Sequence, residues 1–358
     1  TYRVDGKYED SRHPKEVIFV RNLQEDLLRR DFTINAMAYN EKEGLVDIFG
    51  GMDDLRAGII RCVGNAQARF SEDALRILRG IRFAAQLGFE LEDETREGMR
   101  LLAPTLRKIS AERIQVELLK TLTSSRPDLL REAWKLGITK EFLPEFDLAM
   151  ETTQETVHHM YTVGEHILHT LLEVRPDRIL RLTMLLHDIG KPYMKTMDAD
   201  GVAHFKGHPE KSSELANEIL HRLKFDNDTI RKVTKLVRYH DHRMPVTPAH
   251  VRRAVHEIGE DLFPLYLEVR RADVAAQSMY QHKEKVADID GVEKLYHEIM
   301  ERKECVSLKM LAVTGKDLIA AGMKPGKEIG QMLEHFLDLV LEHPELNQKE
   351  ELLKRIEL

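Results

Sequence analysis

The chain has 358 residues, with 54 lysines and arginines against 61 aspartates and glutamates, which gives a formal net charge of −7. Its length allows two or three domains, and its 42% hydrophobic and 32% charged residues are typical of a globular protein with buried cores. No apolar run reaches 18 residues, the first residues lack a signal core, and there are two cysteines. Membrane spans, secretion, a disulfide framework and a cysteine-ligated zinc site are therefore not expected. The charge argues against a histone-like binder, but it leaves room for a local basic groove.

The first sixty residues predict a mixture of short strands and helices. The apolar run Val17–Val20 is typical of a buried strand, and residues 45–49 of a second strand that ends at a glycine pair. Residues 32–39 favour a helix, another helix is expected from Asp53, and residues 59–63 favour a last short strand. We therefore predict a mainly α protein with an N-terminal α/β part.

From Ser71 onward the pattern is helical almost to the end. Ser71, followed by two acids, has the composition of a helix N-terminus, and an apolar stripe continues to Gly88, a typical helix stop. Further helices are expected at residues 93–102 and from Ser110. Glycine and proline positions predict boundaries near residues 60, 145 and 303. The predicted segments are 1–60, 61–145, 146–302 and 303–358.

Arginines form the first candidate site. One acid and three arginines recur at a spacing of three: Asp73, Arg76, Arg79 and Arg82. An upstream segment adds two arginines beside an acid and an amide: Arg29, Arg30, Asp31 and Asn35. Guanidinium groups are the preferred donors to phosphate, and a neighbouring Asp and Arg could read the Watson–Crick edge of a base. The alternative is a solvated helix face, in which Glu72 and Arg76 form an i,i+4 pair.

Histidines form the second candidate site, since 11 of the 17 lie between His158 and His250. His187 and Asp188 end an apolar helical run, so the pair is expected to be buried. A divalent cation would satisfy both side chains, and Mn, Fe, Ni, Zn or Mg suits this donor set. Such a metal would activate a bound water and polarise a phosphoryl oxygen. Surface or capping roles are expected for most of the other histidines.

Several stretches resemble class II tRNA nucleotidyltransferases, the bacterial-type CCA-adding enzymes, and their relatives the bacterial poly(A) polymerases. Residues 29–36, 72–79 and 109–114 resemble head and neck motifs of this family, and residues 4–14 resemble the flexible loop of its head. The histidine region resembles an HD phosphohydrolase domain, which many members carry behind the neck. Residues 313–318 also look like these proteins, so the resemblance covers nearly the whole chain.

The resemblance implies an architecture and site roles. Residues 1–60 would complete the palm sheet of the head, 61–145 form a nucleotide-selecting neck, 146–302 the HD domain and 303–358 a helical tail that contacts tRNA. Asp73 and Arg76 would pair with the base edge of CTP or ATP. The other implied nucleotide-binding residues are Arg30, Asp31, Asn35, Arg79 and Arg82. A divalent metal in the HD domain would be held by His166, His187, Asp188 and Asp273. A phosphate site or second metal would use His208 and His240.

One departure from the family concerns catalysis. The family's Asp-x-Asp pair, which holds Mg²⁺ for nucleotidyl transfer, lies upstream of the flexible loop, and this sequence begins after it. We expect either that the pair precedes Thr1 or that the chain cannot add nucleotides. The missing initiator methionine favours the former.

The resemblance predicts a cytoplasmic enzyme, monomeric or homodimeric, that adds CCA to tRNA 3′ ends from CTP and ATP. Retention of the flexible loop favours CCA or A addition over CC addition, and the histidine region argues against a poly(A) polymerase. A metal-dependent phosphohydrolase, acting on phosphomonoesters or 2′,3′-cyclic phosphates, is the alternative or second activity. An inactive RNA-binding scaffold remains a third possibility.

Overall fold

The computed structural model describes residues 22–356 and the backbone of two N-terminal strands, Tyr2–Asp5 and Val17–Val20. The flexible-loop resemblance at residues 4–14 therefore lies largely outside the described residues. The chain forms two compact units, residues 1–238 with 275–278, and residues 239–274 with 279–358. The predicted boundaries near 60, 145 and 303 are different from this division and stay predictions. The prediction of a mainly α fold with a small N-terminal α/β part is confirmed.

The described strands lie in the first unit and pair two by two. They are β1 (Tyr2–Asp5), β2 (Val17–Val20), β3 (Met37–Asn40), β4 (Gly44–Asp47), β5 (Ile59–Ile60), β6 (Glu90–Leu91), β7 (Thr196–Met197) and β8 (Ala203–His204). The pair β5–β6 is parallel and the other three are antiparallel, with Tyr2 opposite Val20 in the first of them. The predicted strands at 17–20 and 45–49 are confirmed, with small shifts in the second.

The helix predicted at residues 32–39 is wrong. Thr33–Asn35 makes a single 3-10 turn, and the chain then enters β3. Local side-chain bonds explain the difference, because they offer the backbone an alternative to a helix. The Asn35 amide donates to Asp31. At the far end of β3 the Asn40 side chain accepts from the amides of residues 42 and 43, which fixes the turn into β4.

The first unit contains most of the helices. They are α1 (Leu23–Leu28), α2 (Gly51–Ala57), α3 (Ala66–Glu72), α4 (Leu75–Leu87), α5 (Asp93–Leu102), α6 (Ala111–Leu122), α7 (Leu130–Lys135), α8 (Pro144–Glu151), α9 (Val163–Glu173), α10 (Arg178–Leu186), α11 (Lys191–Met194), α12 (His208–Arg222) and α13 (Asn227–Tyr239). The helices predicted at 93–102 and from Ser110 are confirmed, as is the stop at Gly88, which has the left-handed φ of 71°.

Two helices, α3 and α4, replace the single helix that Ser71 was expected to begin. Asn65 begins α3 by accepting a bond from the Ala68 amide, whereas the Ser71 hydroxyl donates back to the carbonyl of Gln67. The chain then leaves helical geometry at Asp73, with φ −145° and ψ 104°. The Asp73 carboxylate accepts from the Leu75 amide, 3.0 Å away, and so caps the start of α4. This break places Asp73 at a corner between two helices.

The apolar face of α4 packs against α6 in the core of the first unit. Ile77, Ile81 and Leu122 are at most 2% exposed, and burial of each such side chain contributes about 2 kcal/mol. Gly80 allows a close approach, since a Cβ there would lie 2.1 Å from the methyl carbon of Met99. The core thus fixes α4 tightly, and the opposite face carries the arginines.

In the described part of the second unit, all regular elements are helices, which loops connect. Its helices are α14 (Pro248–Ile258), α15 (Phe263–Ala275), α16 (His282–Glu301), α17 (Gly315–Ala320), α18 (Lys327–Glu342) and α19 (Lys349–Leu353). Phe336, Leu337 and Leu318 centre one of its apolar clusters. The buried Arg252 donates to the carbonyls of Leu341 and Glu342 and thereby closes the C-terminal end of α18. Of the helices between residues 22 and 356, none combines the length and apolar character that a membrane span requires.

Candidate functional site

Six of the seven predicted nucleotide-binding residues line one cleft of about 440 Å³ in the first unit. Its walls are Arg29, Arg30, Asp31, Asn35, Asp73, Leu75, Arg76, Arg79, Phe83 and Arg113. They come from the segment after α1, from the corner between α3 and α4, from the polar face of α4 and from the start of α6. The cleft therefore brings the two arginine-rich segments of the sequence together.

Arg76 lies at the corner end of the cleft and is only 9% exposed. Its guanidinium donates to the Glu72 carboxylate at 2.7 Å and to the carbonyls of Arg69 and Arg29 at 3.0 Å. The predicted Glu72–Arg76 pair is thus present, but it is partly buried rather than solvated. These bonds hold the planar guanidinium in one orientation, and Asp73, three residues earlier in the chain, lines the same cleft.

Asp31 and Arg79 form the second ion pair of the cleft. The Nε of Arg79 lies 2.6 Å from the Asp31 carboxylate, which also accepts from the Phe32 amide and the Asn35 side chain. Asp31 is buried, whereas about a third of the Arg79 side chain remains exposed. Arg79 therefore has donors left for an incoming anion, and Asp31 with Asn35 fixes its position.

Arg29 and Arg30 carry the upstream wall. Both reach the carboxylate of Asp26 on α1, Arg29 with two bonds. The Arg30 side chain is 46% exposed and lines the cleft, so it is accessible to an anionic ligand. The spacing of three and four residues along α1 and its end produces this arrangement.

Arg82 is the one predicted residue that the structure does not bring into the cleft. Its Nε lies 2.5 Å from the Glu117 carboxylate on α6, and its Nη1 donates to Gln86. Both members of the Arg82–Glu117 pair are more than nine-tenths buried. The reason is geometric, because Arg82 lies two steps of −60° from Arg76 on α4 and therefore faces the neighbouring helix α6.

Arg113 lines the cleft and was missed as a site residue from the sequence. Its Nη2 lies 2.7 Å from Asp73, across 40 residues of chain. The only signal was its position in the stretch 109–114, which resembles a neck motif without indicating a role.

A second cluster lies at the ends of α9 and α10. The Nε2 atoms of His166 and His187 and the Oδ2 of Asp188 form a triangle with edges of 3.3, 3.4 and 3.6 Å. All three side chains are at most 1% exposed. Ligands about 2.1 Å from one metal at tetrahedral angles lie roughly 3.4 Å apart, so this triangle fits a divalent cation.

The other contacts of these three residues also support binding of a divalent cation. The Nδ1 of His187 faces the Met184 carbonyl at 2.8 Å, and that of His166 faces the Ala276 carbonyl, which directs both Nε2 atoms to the triangle. Burial opposes ionisation of Asp188, but the nearby Lys191 ammonium and the imidazole of His187 outweigh it and hold the pKa of Asp188 well below its ordinary value. Asp188 therefore remains a carboxylate, as a metal ligand requires.

Two further side chains meet Asp188. The Nε2 of His208, a predicted residue, lies 3.3 Å from its Oδ1, and the Nζ of Lys191 lies 2.7 Å from its Oδ2. Lys191 was missed from the sequence, although its spacing of three from Asp188 could have indicated it. The other predicted residues, His240 and Asp273, are buried in the second unit. Their metal and phosphate roles stay predictions.

Three segments of the chain match known protein families. Residues 1–61 match the family described as "Poly A polymerase head domain", and residues 88–150 match "Probable RNA and SrmB- binding site of polymerase A". Residues 205–356 match tRNA nucleotidyltransferase domain 2.

Relatives that match most of this chain show its family. The A-adding tRNA nucleotidyltransferase of Deinococcus radiodurans is 34% identical over 329 residues, 87% of this chain and 74% of the relative. The CCA-adding enzyme of Streptococcus thermophilus is 33% identical over 360 residues, 99% of this chain and 76% of the relative. The chain belongs to the family of the bacterial tRNA nucleotidyltransferases. The CCA-adding enzyme of Leuconostoc mesenteroides is 34% identical, and this chain spans 64% of it, slightly less than two thirds.

Solved structures of such tRNA nucleotidyltransferases share the fold. The Bacillus stearothermophilus CCA-adding enzyme in complex with CTP superposes with a TM-score of 0.68 at 24% identity, covering 99% of this chain and 78% of that one. The Thermotoga maritima CCA-adding enzyme complexed with tRNA gives a TM-score of 0.55 at 22% identity, covering 94% and 74%.

Proposed function

We propose that the arginine-lined cleft selects CTP and ATP for template-independent addition of CCA to tRNA 3′ ends. The observation that carries this proposal is the fixed pair of Asp73 and Arg76 at one end of a cleft whose other walls are arginines. Membership of the tRNA nucleotidyltransferase family and the names of its members support it.

The chemistry of the bases explains why one pair suits two nucleotides. Cytosine and adenine each present an exocyclic amino group beside an unprotonated ring nitrogen on the Watson–Crick edge. The Asp73 carboxylate accepts from the amino group, and the Arg76 guanidinium donates to the ring nitrogen. Uracil and guanine present a carbonyl beside a ring N–H at the corresponding positions, so they face Asp73 with an acceptor. The pair therefore favours CTP and ATP over UTP and GTP.

The arginines farther along the cleft suit the triphosphate. Arg30 and Arg79 have exposed guanidinium donors, and such groups bind phosphate oxygens with two parallel hydrogen bonds. The family implies transfer that depends on a divalent metal, which neutralises charge on the triphosphate when bound. The acids that line the cleft, Asp31 and Asp73, are each engaged by an arginine and do not fit as ligands for that metal.

An extension assay with tRNA transcripts that end at successive positions before and within CCA tests the proposal. The full natural chain is given transcripts that lack CCA, CA or only A, with one nucleoside triphosphate at a time. We expect CTP to extend the first two and ATP the third, and UTP and GTP to be used at least about 100-fold less efficiently. Extension by ATP alone would restrict the activity to A addition. Absence of extension with every end, or equal use of all four nucleotides, would contradict the proposal.

We place this activity in the cytoplasm with tRNA as its partner. Cys62 and Cys305 are buried free thiols, and burial raises the pKa of Cys62 to about 12. Such thiols are typical of proteins from a reducing compartment.

We infer a metal-dependent phosphohydrolase as a second activity, carried by the triangle of His166, His187 and Asp188. A metal bound there would lower the pKa of a water and polarise a phosphoryl oxygen. His166 and His187 would hold it through Nε2 and Asp188 through Oδ2, and the buried Lys191 ammonium, which contacts Asp188 and Gln154, adds positive charge beside the triangle. This chemistry suits a phosphomonoester or a 2′,3′-cyclic phosphate.

Metal content separates this second activity from the first. We expect His187→Ala to lose the bound metal and the phosphatase activity while tRNA extension persists, since His187 lies outside the nucleotide cleft. The measurement is elemental analysis of the purified protein together with both assays. His169→Ala is the matched control, because His169 lies on the same helix as His166 and stacks on Tyr161. Equal metal content in His187→Ala and the natural protein would refute the assignment.

A further inference from the structure

Arg113 lines the nucleotide cleft and contacts Asp73, one of the two residues proposed to read the base. It lies in the first turn of α6, whereas Asp73 lies at the corner between α3 and α4. The Nη2 of Arg113 reaches the Oδ2 of Asp73 at 2.7 Å, and the two side chains keep 24% and 20% of their surface exposed. The contact therefore joins two separate elements at the surface of the cleft.

The two oxygens of Asp73 are held from different directions. The Oδ1 accepts from the Leu75 amide and the Oδ2 accepts from Arg113. Each carboxylate oxygen can accept two hydrogen bonds, so both retain capacity for a ligand. Without Arg113, only the bond to Leu75 would orient the carboxylate, and rotation about χ2 would be open to it.

The guanidinium of Arg113 has a donor to spare. Its Nη1 is buried and finds no hydrogen-bond partner between residues 22 and 356. A buried donor without a partner carries a desolvation cost that a ligand acceptor would remove. This donor belongs to a residue that lines the nucleotide cleft.

We propose that Arg113 is a specificity-determining positioning residue, which orients the Asp73 carboxylate toward the amino group of an incoming cytosine or adenine. The proposal rests on the proposed function of the cleft. Arg113 acts through Asp73 and leaves the triphosphate to other arginines. Its loss therefore impairs the choice among bases more than the binding of the nucleotide as such.

Replacement variants separate orientation from charge. In Arg113→Gln the charge-assisted bond to Asp73 is lost, and we expect the preference of CTP and ATP over UTP and GTP to fall about tenfold, the effect of one such bond. In Arg113→Lys the charge remains without the planar fork, so we expect partial rescue. The measurement is equilibrium titration of the full chain with each of the four nucleotides. Arg107→Gln is the control, since Arg107 is an exposed neck arginine that pairs with Glu141 outside the cleft.

A double-mutant cycle tests whether Arg113 acts through Asp73. We expect Arg113→Gln to change base preference little further in an Asp73→Asn background, because the oriented carboxylate is already absent. Thermal unfolding of each variant shows whether the fold is kept, and the Lys variant retains the charge if the Gln variant is unstable.

The outcomes distinguish the two proposals. A natural protein that binds all four nucleotides equally would overturn both. A natural protein that discriminates, with unchanged preference in Arg113→Gln or with additive effects in the cycle, would overturn the role of Arg113 alone. Equal effects of Arg113→Gln and Arg107→Gln would also overturn it, because the loss would then follow from removal of any neck arginine.

Discussion

Replacement of Arg76 by alanine is expected to reduce the preference for CTP and ATP over UTP and GTP by about 10- to 100-fold, while binding of tRNA changes little. One well-oriented guanidinium contact to a base edge is worth roughly this much discrimination. Arg76 is oriented by three bonds, to Glu72 and to the carbonyls of Arg69 and Arg29, and alanine cannot replace its donor. The measurement is the relative kcat/KM for each nucleotide in the full chain.

The same bonds imply a structural cost that must be measured alongside. The alanine variant removes one of the two arginines that pair with Glu72 and the guanidinium donor to the carbonyls of Arg69 and Arg29, so we expect a loss of about 1–3 kcal/mol in the free energy of unfolding. Arg100→Ala is a suitable control, because Arg100 is an exposed arginine that pairs with Glu97 on α5. If selectivity among the four nucleotides survives in Arg76→Ala, the assignment of Arg76 to the base edge is wrong.

The largest effect on stability is expected at the Arg82–Glu117 pair. Arg82→Met leaves the Glu117 carboxylate buried without its partner, and removal of one member of such a pair costs about 3–5 kcal/mol. Both side chains are more than 90% buried and join α4 to α6, so the packing of these two helices depends on them. Urea or guanidinium unfolding of the natural and variant proteins measures this cost.

A second substitution checks the physical reason. Arg82→Met combined with Glu117→Leu removes both charges, and we expect it to recover most of the lost stability, because an apolar pair of similar volume fits the same space. Arg100→Met, at an exposed pair, should cost much less than Arg82→Met, because solvent screens the exposed charges. A small loss in Arg82→Met, comparable with that of Arg100→Met, would contradict a buried ion pair.

Local patterns predicted much of the fold. The apolar stripe of α4, its stop at Gly88 and the bounds of α5 follow from periodicity and capping, which depend on neighbouring residues. The errors in the fold arose where a short-range side-chain hydrogen bond to the backbone or to a neighbouring side chain competes with the helix. The composition at Ser71 is typical of a helix start, but Asn65 caps α3, and the extended backbone at Asp73 separates α3 from α4. Composition alone does not distinguish these roles.

The candidate site shows a second limit, which concerns contacts between residues that are distant in the chain. The spacing of three placed Arg76 and Arg79 correctly at the cleft, but it could not show that Arg82 meets Glu117, 35 residues away. Arg113 was missed for the same reason, since its partner Asp73 is 40 residues away. His187 and Asp188 were predictable as a pair because they are adjacent in the chain. The triangle with His166 depends on the packing of α9 against α10.

The ion pairs of the cleft make nucleotide binding an exchange rather than a simple addition. Arg79 already holds Asp31, and Arg76 already holds Glu72. An entering anion can use the remaining guanidinium donors of Arg30 and Arg79, but where it displaces or shares an existing contact it gains only the difference between the two contacts. Chloride or a single carboxylate gains little from such an exchange, whereas a triphosphate with its base can satisfy several of these groups at once. The ion pairs of the cleft therefore favour polyvalent ligands over the common monovalent salts.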